Sequence, residues 1–322
     1  MRAIRLEKTG GPEVLQLVDL PTPEPGPGEI RVRHQAIGLN FIDTYQRGGL
    51  YPMPLPATLG LEAAGVVDAL GDGVTRFKIG DLVGYNGSLG AYAEANVLNA
   101  ARAVKLPSHV DARTAAASLL KGMTAEFLAR RIWPLHAGDW VLVHAAAGGV
   151  GLILCQWLAH LGVQVIGTVG SEEKAALAKA NGCAEVVLYR SEDVAKRVRE
   201  ITGGAGVKVA YDSVGASTAE ASLNSLKPRG LFVSFGNASG PVPAIEPLRL
   251  SRGGSLFLTR PTLYNYIGTT AELDESAAAL FDVIGKGAVK IAIGQEFPLE
   301  AAAEAHRSLE GRATTGSTLL IP

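Results

Sequence analysis

Residues 145–151 read Ala145-Ala-Ala-Gly-Gly-Val-Gly151, and their flanks constrain the fold more than any other stretch. Before them runs Trp140-Val-Leu-Val-His144, which predicts a buried strand. After them Val150, Ile153, Leu154, Trp157, Leu158 and Leu161 recur at helical spacing. A strand that turns through glycines into a helix can cradle a phosphate. The backbone approaches the anion closely, and the helix offers its unpaired N–H groups and positive dipole end. In the pattern A-x-G-x-x-G, Ala146, Gly148 and Gly151 take the three small positions. Gly148 and Gly149 permit approach to a pyrophosphate, and Gly151 lets helix and strand pack. The alternative is an ordinary glycine-rich turn, and the regular alternation of strand and helix patterns from residue 124 onward weighs against it.

That alternation begins at about Thr124. Val163–Thr168 is the next strand. Ser171 then stands as a helix N-cap, with Glu172 and Glu173 in the first turn where the dipole favours acids. Gly182 fits the position that closes this helix. Val186–Leu188, Val207–Tyr211, Leu231–Phe235 and Ser255–Thr259 read as further strands, with helices near 191–201 and 216–226. This predicts an α/β fold with a doubly wound parallel sheet. The second strand ends in Gly167-Thr-Val-Gly-Ser171, without the Asp or Glu that binds a ribose hydroxyl, and Lys174 follows. A missing carboxylate beside a cation suits a 2′-phosphate, hence NADPH over NADH.

The first 120 residues are different. Short alternating runs such as Glu29-Ile-Arg-Val-Arg-His34 lie between Pro and Gly clusters and read as a β-rich domain. After residue 264 two helices are expected near 271–286 and 299–310. A short strand lies between them, and a closing strand, Thr318–Ile321, returns to the N-terminal domain. Charge is balanced, 30 Lys+Arg against 31 Asp+Glu, which argues against a basic nucleic-acid footprint or an acidic tail. Val141–Gly162 is apolar enough to suggest a membrane span, but its glycines break it into strand and helix. The start carries no secretion-signal pattern, and a cytoplasmic protein is expected. Glycine is in excess, 39 of 322 residues, which predicts many tight turns. Gly170, Gly215 and Gly236 fall at strand ends, where a cofactor needs close backbone.

Only two cysteines occur, Cys155 and Cys183, and the N-terminal domain has none. Its histidines, His34 and His109, stand apart from other ligand types, so no catalytic zinc site is expected. Hydride transfer to a simple ketone builds an alkoxide that calls for a metal or a proton donor. Transfer to a quinone or enone builds a delocalised phenolate or enolate, which needs less help. The sequence thus leans toward a conjugated acceptor.

The chain resembles the zinc-free quinone oxidoreductases of the zeta-crystallin type, within the medium-chain dehydrogenase/reductase superfamily. The resemblance spans the whole chain. It rests on Gly10-Gly-Pro-Glu-Val-Leu15, Asn40-Phe-Ile-Asp-Thr-Tyr45, Gly60-Leu-Glu-Ala-Ala-Gly65, Gly80-Asp-Leu-Val83, the His144–Gly151 turn, Gln156, Gly167-Thr-Val-Gly170, Tyr211-Asp-Ser-Val-Gly215 and Val233-Ser-Phe-Gly-Asn237. Zinc-dependent relatives carry Gly-His-Glu where this chain has Gly60-Leu61-Glu62. Ala159 departs from the usual basic or small polar residue there.

The resemblance implies a GroES-like catalytic domain over 1–123, a Rossmann NADPH-binding domain over 124–264 and a C-terminal return over 265–322, with NADPH and substrate in the cleft. It also implies a homodimer. In such proteins Asn40, Phe41, Ile42, Asp43, Thr44 and Tyr45 line the nicotinamide end. Gly148, Gly149 and Val150 meet the pyrophosphate. Gly170, Ser171, Lys174, Tyr189 and Arg312 surround the 2′-phosphate. Thr124, Ser213, Phe235, Gly236, Asn237, Thr262 and Leu263 complete the cofactor contacts. For the acceptor pocket Asn40, Tyr45 and Tyr51 are expected to offer hydrogen-bond donors, and the two tyrosines can stack on a flat ring. Asp43 reads as structural or cofactor-positioning rather than a general base, Glu62 as a group that orients backbone or pairs with a cation, and Cys155 as inert core.

The expected activity is NADPH-dependent reduction of a quinone. Two alternatives stand beside it: an NADPH-dependent alkenal or enoyl reductase, and a cofactor-binding protein whose role is structural or RNA-binding. Whether electrons leave singly or as hydride stays open at this level.

Overall fold

The computed structural model describes all 322 residues. They form two compact units. Met1–Met123, Ile267–Gly285 and Ile291–Pro322 make the first, and Thr124–Tyr266 with Lys286–Lys290 make the second. The helix Ala112–Arg130 contributes to both, changing over between Met123 and Thr124.

The second unit is the alternating part. Six parallel strands lie in the order Glu185–Leu188, Gln164–Val169, Trp140–Val143, Val207–Asp212, Leu226–Ser234 and Phe257–Thr259. Counted along the chain this is 3-2-1-4-5-6. The order reverses between Trp140–Val143 and Val207–Asp212, and ligands bind where such a sheet reverses, beyond the strands' carboxyl ends. Leu142, Ile166, Val187, Ala210 and Phe232 from the strands pack with Val198 and Leu223 from helices, making one apolar core.

Local chemistry sets the boundaries. Ser171 caps the helix Glu172–Ala180, its Oγ accepting from Lys174 N–H, and Gly182 follows that helix with φ +98. Asp193 caps Val194–Ile201 by accepting from Lys196 N–H, so this helix begins later than residue 191. The next helix is likewise shorter than 216–226, running Ala219–Ser225. The last strand starts at Phe257 rather than Ser255, because Ser255 has φ +58, which no strand accommodates. Gln156, on the helix Gly149–His160, donates to Lys290 O (3.1 Å) and accepts from Lys290 N–H (2.8 Å). Its amide holds Lys286–Lys290 as an extra strand would. Cys155 and Cys183 are buried, with sulfurs 3.5 Å apart.

The first unit holds a seven-stranded sheet. Ile293–Pro298, Ser317–Ile321, Glu29–Leu39, Glu62–Leu70, Leu82–Asn86 and Ala103–Lys105 lie in that order, and Ala95–Asn99 also pairs with Glu29–Leu39. Three further strands, Leu15–Asp19, Arg2–Leu6 and Ala57–Thr58, form a second sheet. The tail is integral here, with Leu319 opposite Gly38 in the sheet and Leu299, Ala302 and Leu320 in the core beside Ile30, Val32 and Val67. Where the sequence suggests only strands and turns, a helix runs over Phe41–Gly48. Asn40 precedes it in extended conformation, and Gly49, at φ +84, ends it. No helix is long and apolar enough to cross a membrane.

Candidate functional site

The glycine turn stands at the carboxyl end of Trp140–Val143. Ala145 takes φ +54, and Gly148 N–H donates to Ala145 O (2.9 Å). Gly148 is the N-cap of the helix that begins at Gly149, with no side chain to satisfy the first turn. The N–H groups of Gly149 and Val150 therefore lack intrahelical partners. A Cβ on Gly151 would stand 2.3 Å from Ala145 O and 2.9 Å from the Ala146 carbonyl carbon. Helix and turn touch there through backbone. This cradle fits a pyrophosphate.

A buried chain of hydrogen bonds braces the turn from behind. Asp212, fully buried, accepts at Oδ1 from Val214 N–H, Gly215 N–H and Thr218 Oγ1, and at Oδ2 from Ser222 Oγ. The single Ser222 hydrogen is thereby used, so His144 Nε2, 3.0 Å away, is the donor to Ser222 Oγ. His144 Nδ1 then accepts from Thr168 Oγ1 at 3.0 Å. Burial holds the imidazole below its usual pKa, which agrees with a neutral ring. The chain ties together the ends of three parallel strands. Sequence reasoning passed over His144 as a support, although it immediately precedes the turn.

At the end of Gln164–Val169 stands the corner expected for a 2′-phosphate. A Cβ on Gly170 would lie 2.7 Å from Tyr189 Oη and 3.4 Å from Arg190 Nε. Ser171 Oγ accepts from Lys174 N–H (3.3 Å), which leaves its own hydrogen to donate. No carboxylate follows the strand before Glu172. Arg190 was not anticipated; the signal was a cation directly after Tyr189. Thr124 is buried at the start of the second unit. Ser213, Phe235 and Asn237 follow the strands Val207–Asp212 and Leu226–Ser234, and Thr262 and Leu263 follow Phe257–Thr259. Gly215 and Gly236 are also required by the protein's own backbone, since a Cβ would lie 2.3 Å from Gly240 O at Gly215 and 2.3 Å from Ser213 O at Gly236. Arg312 belongs to the first unit, exposed and at φ +57, between Ala302–Glu310 and Ser317–Ile321.

The first unit gathers the other candidates at one helix. Phe41, Tyr45 and Tyr51 form an aromatic row, with ring centroids 6.3 Å apart for Phe41–Tyr45 and 5.4 Å for Tyr45–Tyr51. Ile42 is half-buried, and Thr44 is buried with Oγ1 donating to Phe41 O. Asn40 Nδ2 donates to Glu62 Oε2 (2.9 Å) and to Gly38 O (3.3 Å). Both amide hydrogens are spent, so Asn40 cannot donate to an acceptor oxygen as the sequence suggested. Two acceptors on that side force the orientation of the amide, and what remains to Asn40 is its carbonyl oxygen. Glu62, fully buried, also accepts from Leu120 N–H (2.6 Å) and Lys121 Nζ (3.0 Å), so it both orients backbone and pairs with a cation. Asp43 Oδ2 accepts from Asn40 N–H (2.9 Å) and Tyr92 Oη (2.9 Å). Burial pushes the Asp43 carboxyl up to about 7, against the pull of those donors and of Lys121. His34 is occupied by Ala93 O and Tyr85 Oη, and no three His, Cys, Asp or Glu side chains converge on a possible metal position.

Two family descriptions match the chain, an alcohol dehydrogenase GroES-like domain over residues 26–108 and a zinc-binding dehydrogenase over 149–282. The chain is 53% identical to a quinone oxidoreductase of Pseudomonas aeruginosa, covering 100% of this chain and 99% of that one. It superposes on Escherichia coli quinone oxidoreductase complexed with NADPH with a TM-score of 0.98, at 49% identity and full coverage of both chains. It is 43% identical to a 2-haloacrylate reductase of a Burkholderia species over 98% of each chain.

Proposed function

The chain belongs to the quinone oxidoreductases of the medium-chain dehydrogenase/reductase superfamily, and from that membership we propose that it reduces quinones at the expense of NADPH without a metal. The observation that carries the reading is the corner at Gly170. Ser171, Tyr189 and Arg190 gather there, Lys174 stands on the first turn of the helix that Ser171 caps, and no carboxylate comes ahead of Glu172, which suits a 2′-phosphate. Gly149 and Val150 would hold the pyrophosphate through their backbone N–H groups, with Gly148, whose own N–H is taken by Ala145 O, allowing the close approach. Bound NADPH would supply the reducing electrons, as hydride or singly.

Phe41, Tyr45 and Tyr51 present flat rings and two phenols to a planar acceptor. A quinone oxygen that gains charge becomes a phenolate, whose conjugate acid has a pKa of about 10, and a phenol donor is sufficient to stabilise it. Glu62 is committed to Lys121, Asn40 and Leu120, and no three His, Cys, Asp or Glu side chains converge to hold a metal. A homodimer completes the proposal, formed along the edge strand Phe257–Thr259, where Phe257 and Leu258 are exposed; light scattering checks it.

A second reading is favoured by the 2-haloacrylate reductase among the relatives: the acceptor is an activated C=C bond. NADPH consumption with 1,2-naphthoquinone, set against 2-enals and 2-haloacrylate, decides between them. Faster turnover of the quinone supports the first reading, and faster turnover of either alkene overturns it. Exhaustive treatment with a chelator is expected to leave the rate unchanged.

A further inference from the structure

A chain of hydrogen bonds runs inward through the first unit to Asp43, and its direction is dictated at the outer end. The side chain of Arg47 is 5% exposed. It donates to both oxygens of Glu310 (3.0 and 2.7 Å), to Gly10 O (3.1 Å) and, from Nη1, to His306 Nδ1 (2.9 Å). A guanidinium has only donors and keeps its proton, so His306 Nδ1 must be the bare nitrogen. The neutral ring then carries hydrogen at Nε2, which donates to Tyr92 Oη at 3.0 Å. Tyr92 has one hydrogen, and it goes to Asp43 Oδ2 at 2.9 Å. Every link is forced: Arg47 to His306 to Tyr92 to Asp43.

The chain cannot run backwards. A proton on Asp43 Oδ2 would turn Tyr92 toward His306, move the imidazole hydrogen to Nδ1 and set it against an Arg47 N–H. A proton can be added to Asp43 only at Oδ1, which is buried and has no hydrogen-bond partner. We propose that Arg47, His306 and Tyr92 are positioning residues that keep Asp43 Oδ2 an obligate acceptor, locking Asn40 at the head of the helix that carries Tyr45, and leave Oδ1 as the one oxygen where the chain takes up a proton.

The charged and titratable groups around Asp43 agree with this. Lys121 favours its ionised form and Glu62 opposes it, while Tyr92 favours it by donating. Burial and the Arg47 charge push His306 down to about 3, so its ring stays neutral. Protonation at Oδ1 cancels the charge that holds both donors on Oδ2, and the cap on Asn40 loosens.

Two measurements test this. The first is 15N NMR of the protein labelled at histidine, with the His306 ring assigned by its loss in His306→Gln. His306 is expected as the Nε2–H tautomer, and Arg47→Met is expected to let Nδ1–H appear. An Nδ1–H ring in the wild-type protein overturns the proposal. The second is the pH profile of kcat/KM for 1,2-naphthoquinone between about pH 5.5 and 8.5. Wild type is expected to lose activity on the acid side. In Tyr92→Phe that limb moves up by about one pH unit, as loss of one hydrogen bond to a charged oxygen implies. In Asp43→Asn it disappears. A wild-type profile with no acid limb, a limb unmoved in Tyr92→Phe while the melting temperature falls, or a limb surviving Asp43→Asn overturns the proposal. The pH readout rests on the quinone reading and the tautomer does not, so failure of one is distinguishable from failure of the other.

Discussion

Each unit buries a histidine in a chain of hydrogen bonds that ends on a carboxylate, and the two chains end differently. In the second unit Thr168, His144 and Ser222 lead to Asp212, whose two oxygens accept from four donors. Nothing is left over, and the result is a stiff frame behind a cradle made of backbone. In the first unit Arg47, His306 and Tyr92 lead to Asp43, where one oxygen accepts twice and the other not at all. A buried polar group without a partner costs about 1–3 kcal/mol, and such costs persist where a protein uses the group. The comparison separates a network that only holds shape from one that is held ready to change.

The strongest way to break that comparison is at the frame itself. Gly151→Val sets a side chain against Ala145 O and is expected to cost about 3 kcal/mol or more and to abolish NADPH binding, read by thermal melting and cofactor titration. A folded variant with wild-type affinity would show that backbone contact is not what the turn depends on. Next come the two carboxylates. Asp212→Asn removes the charge that four donors share and sets an amide NH2 against either the Val214 and Gly215 N–H groups or Ser222 Oγ, which already takes the His144 hydrogen, and is expected to cost about 2–4 kcal/mol. Asp43→Asn is expected to cost less, because Asn can keep an oxygen at the Oδ2 position and place its NH2 where nothing was bound. Denaturant unfolding of the pair measures this, and equal costs would erase the distinction between the two networks. A smaller effect is expected from Lys174→Ala, about 1–3 kcal/mol in NADPH affinity with NADH unaffected. Steady-state KM values for both nucleotides check it, and equal weakening would remove Lys174 from the 2′-phosphate corner.

The smallest effect concerns stability against pH. Burial pushes His34 down to about 4 and His306 to about 3, so unfolding lets both take up protons below their ordinary value of 6.5. Their contribution to stability is present above that value and is lost as pH falls toward 4. Asp43 works the other way. Raised from 3.8 to about 7, its contribution is full below 3.8 and is lost as pH rises through 7. The melting temperature is therefore expected to fall between pH 7 and 4.5, and to fall more steeply in Asp43→Asn. A shallower fall in that variant would mean that Asp43 is not protonated more readily in the folded state.

The two regions also differed in how far the sequence disclosed them. The second unit is written in local signals. An apolar strand, a glycine turn, the cap at Ser171 and the closing Gly182 each act within a few residues, and the 3-2-1-4-5-6 sheet follows from their alternation. Its errors were local too, a helix delayed by the Asp193 cap and a strand shortened by the backbone of Ser255. The helix Phe41–Gly48 lay hidden in a β-rich stretch, although Asn40 before it and Gly49 after it mark its ends. The role of Asn40 was misjudged because Glu62, which takes one of its amide hydrogens while Gly38 O takes the other, lies 22 residues away. Arg47 and Tyr92 gave no sign of their joint purpose, since what joins them is His306, in a tail helix with no motif of its own.

That distance has a consequence in time. Arg47 and His306 are 259 residues apart, and Tyr92 and His306 are 214 apart. At roughly 5–20 residues per second, a ribosome needs on the order of 10–50 s to pass from Arg47 to His306. Through that interval Thr124–Tyr266 emerges as one uninterrupted stretch, while the half-made first sheet still lacks Ser317–Ile321 and its buried charges lack their go-between. The part of the molecule begun first is completed last, and the waiting chain is most in need of protection around Asp43 and Arg47.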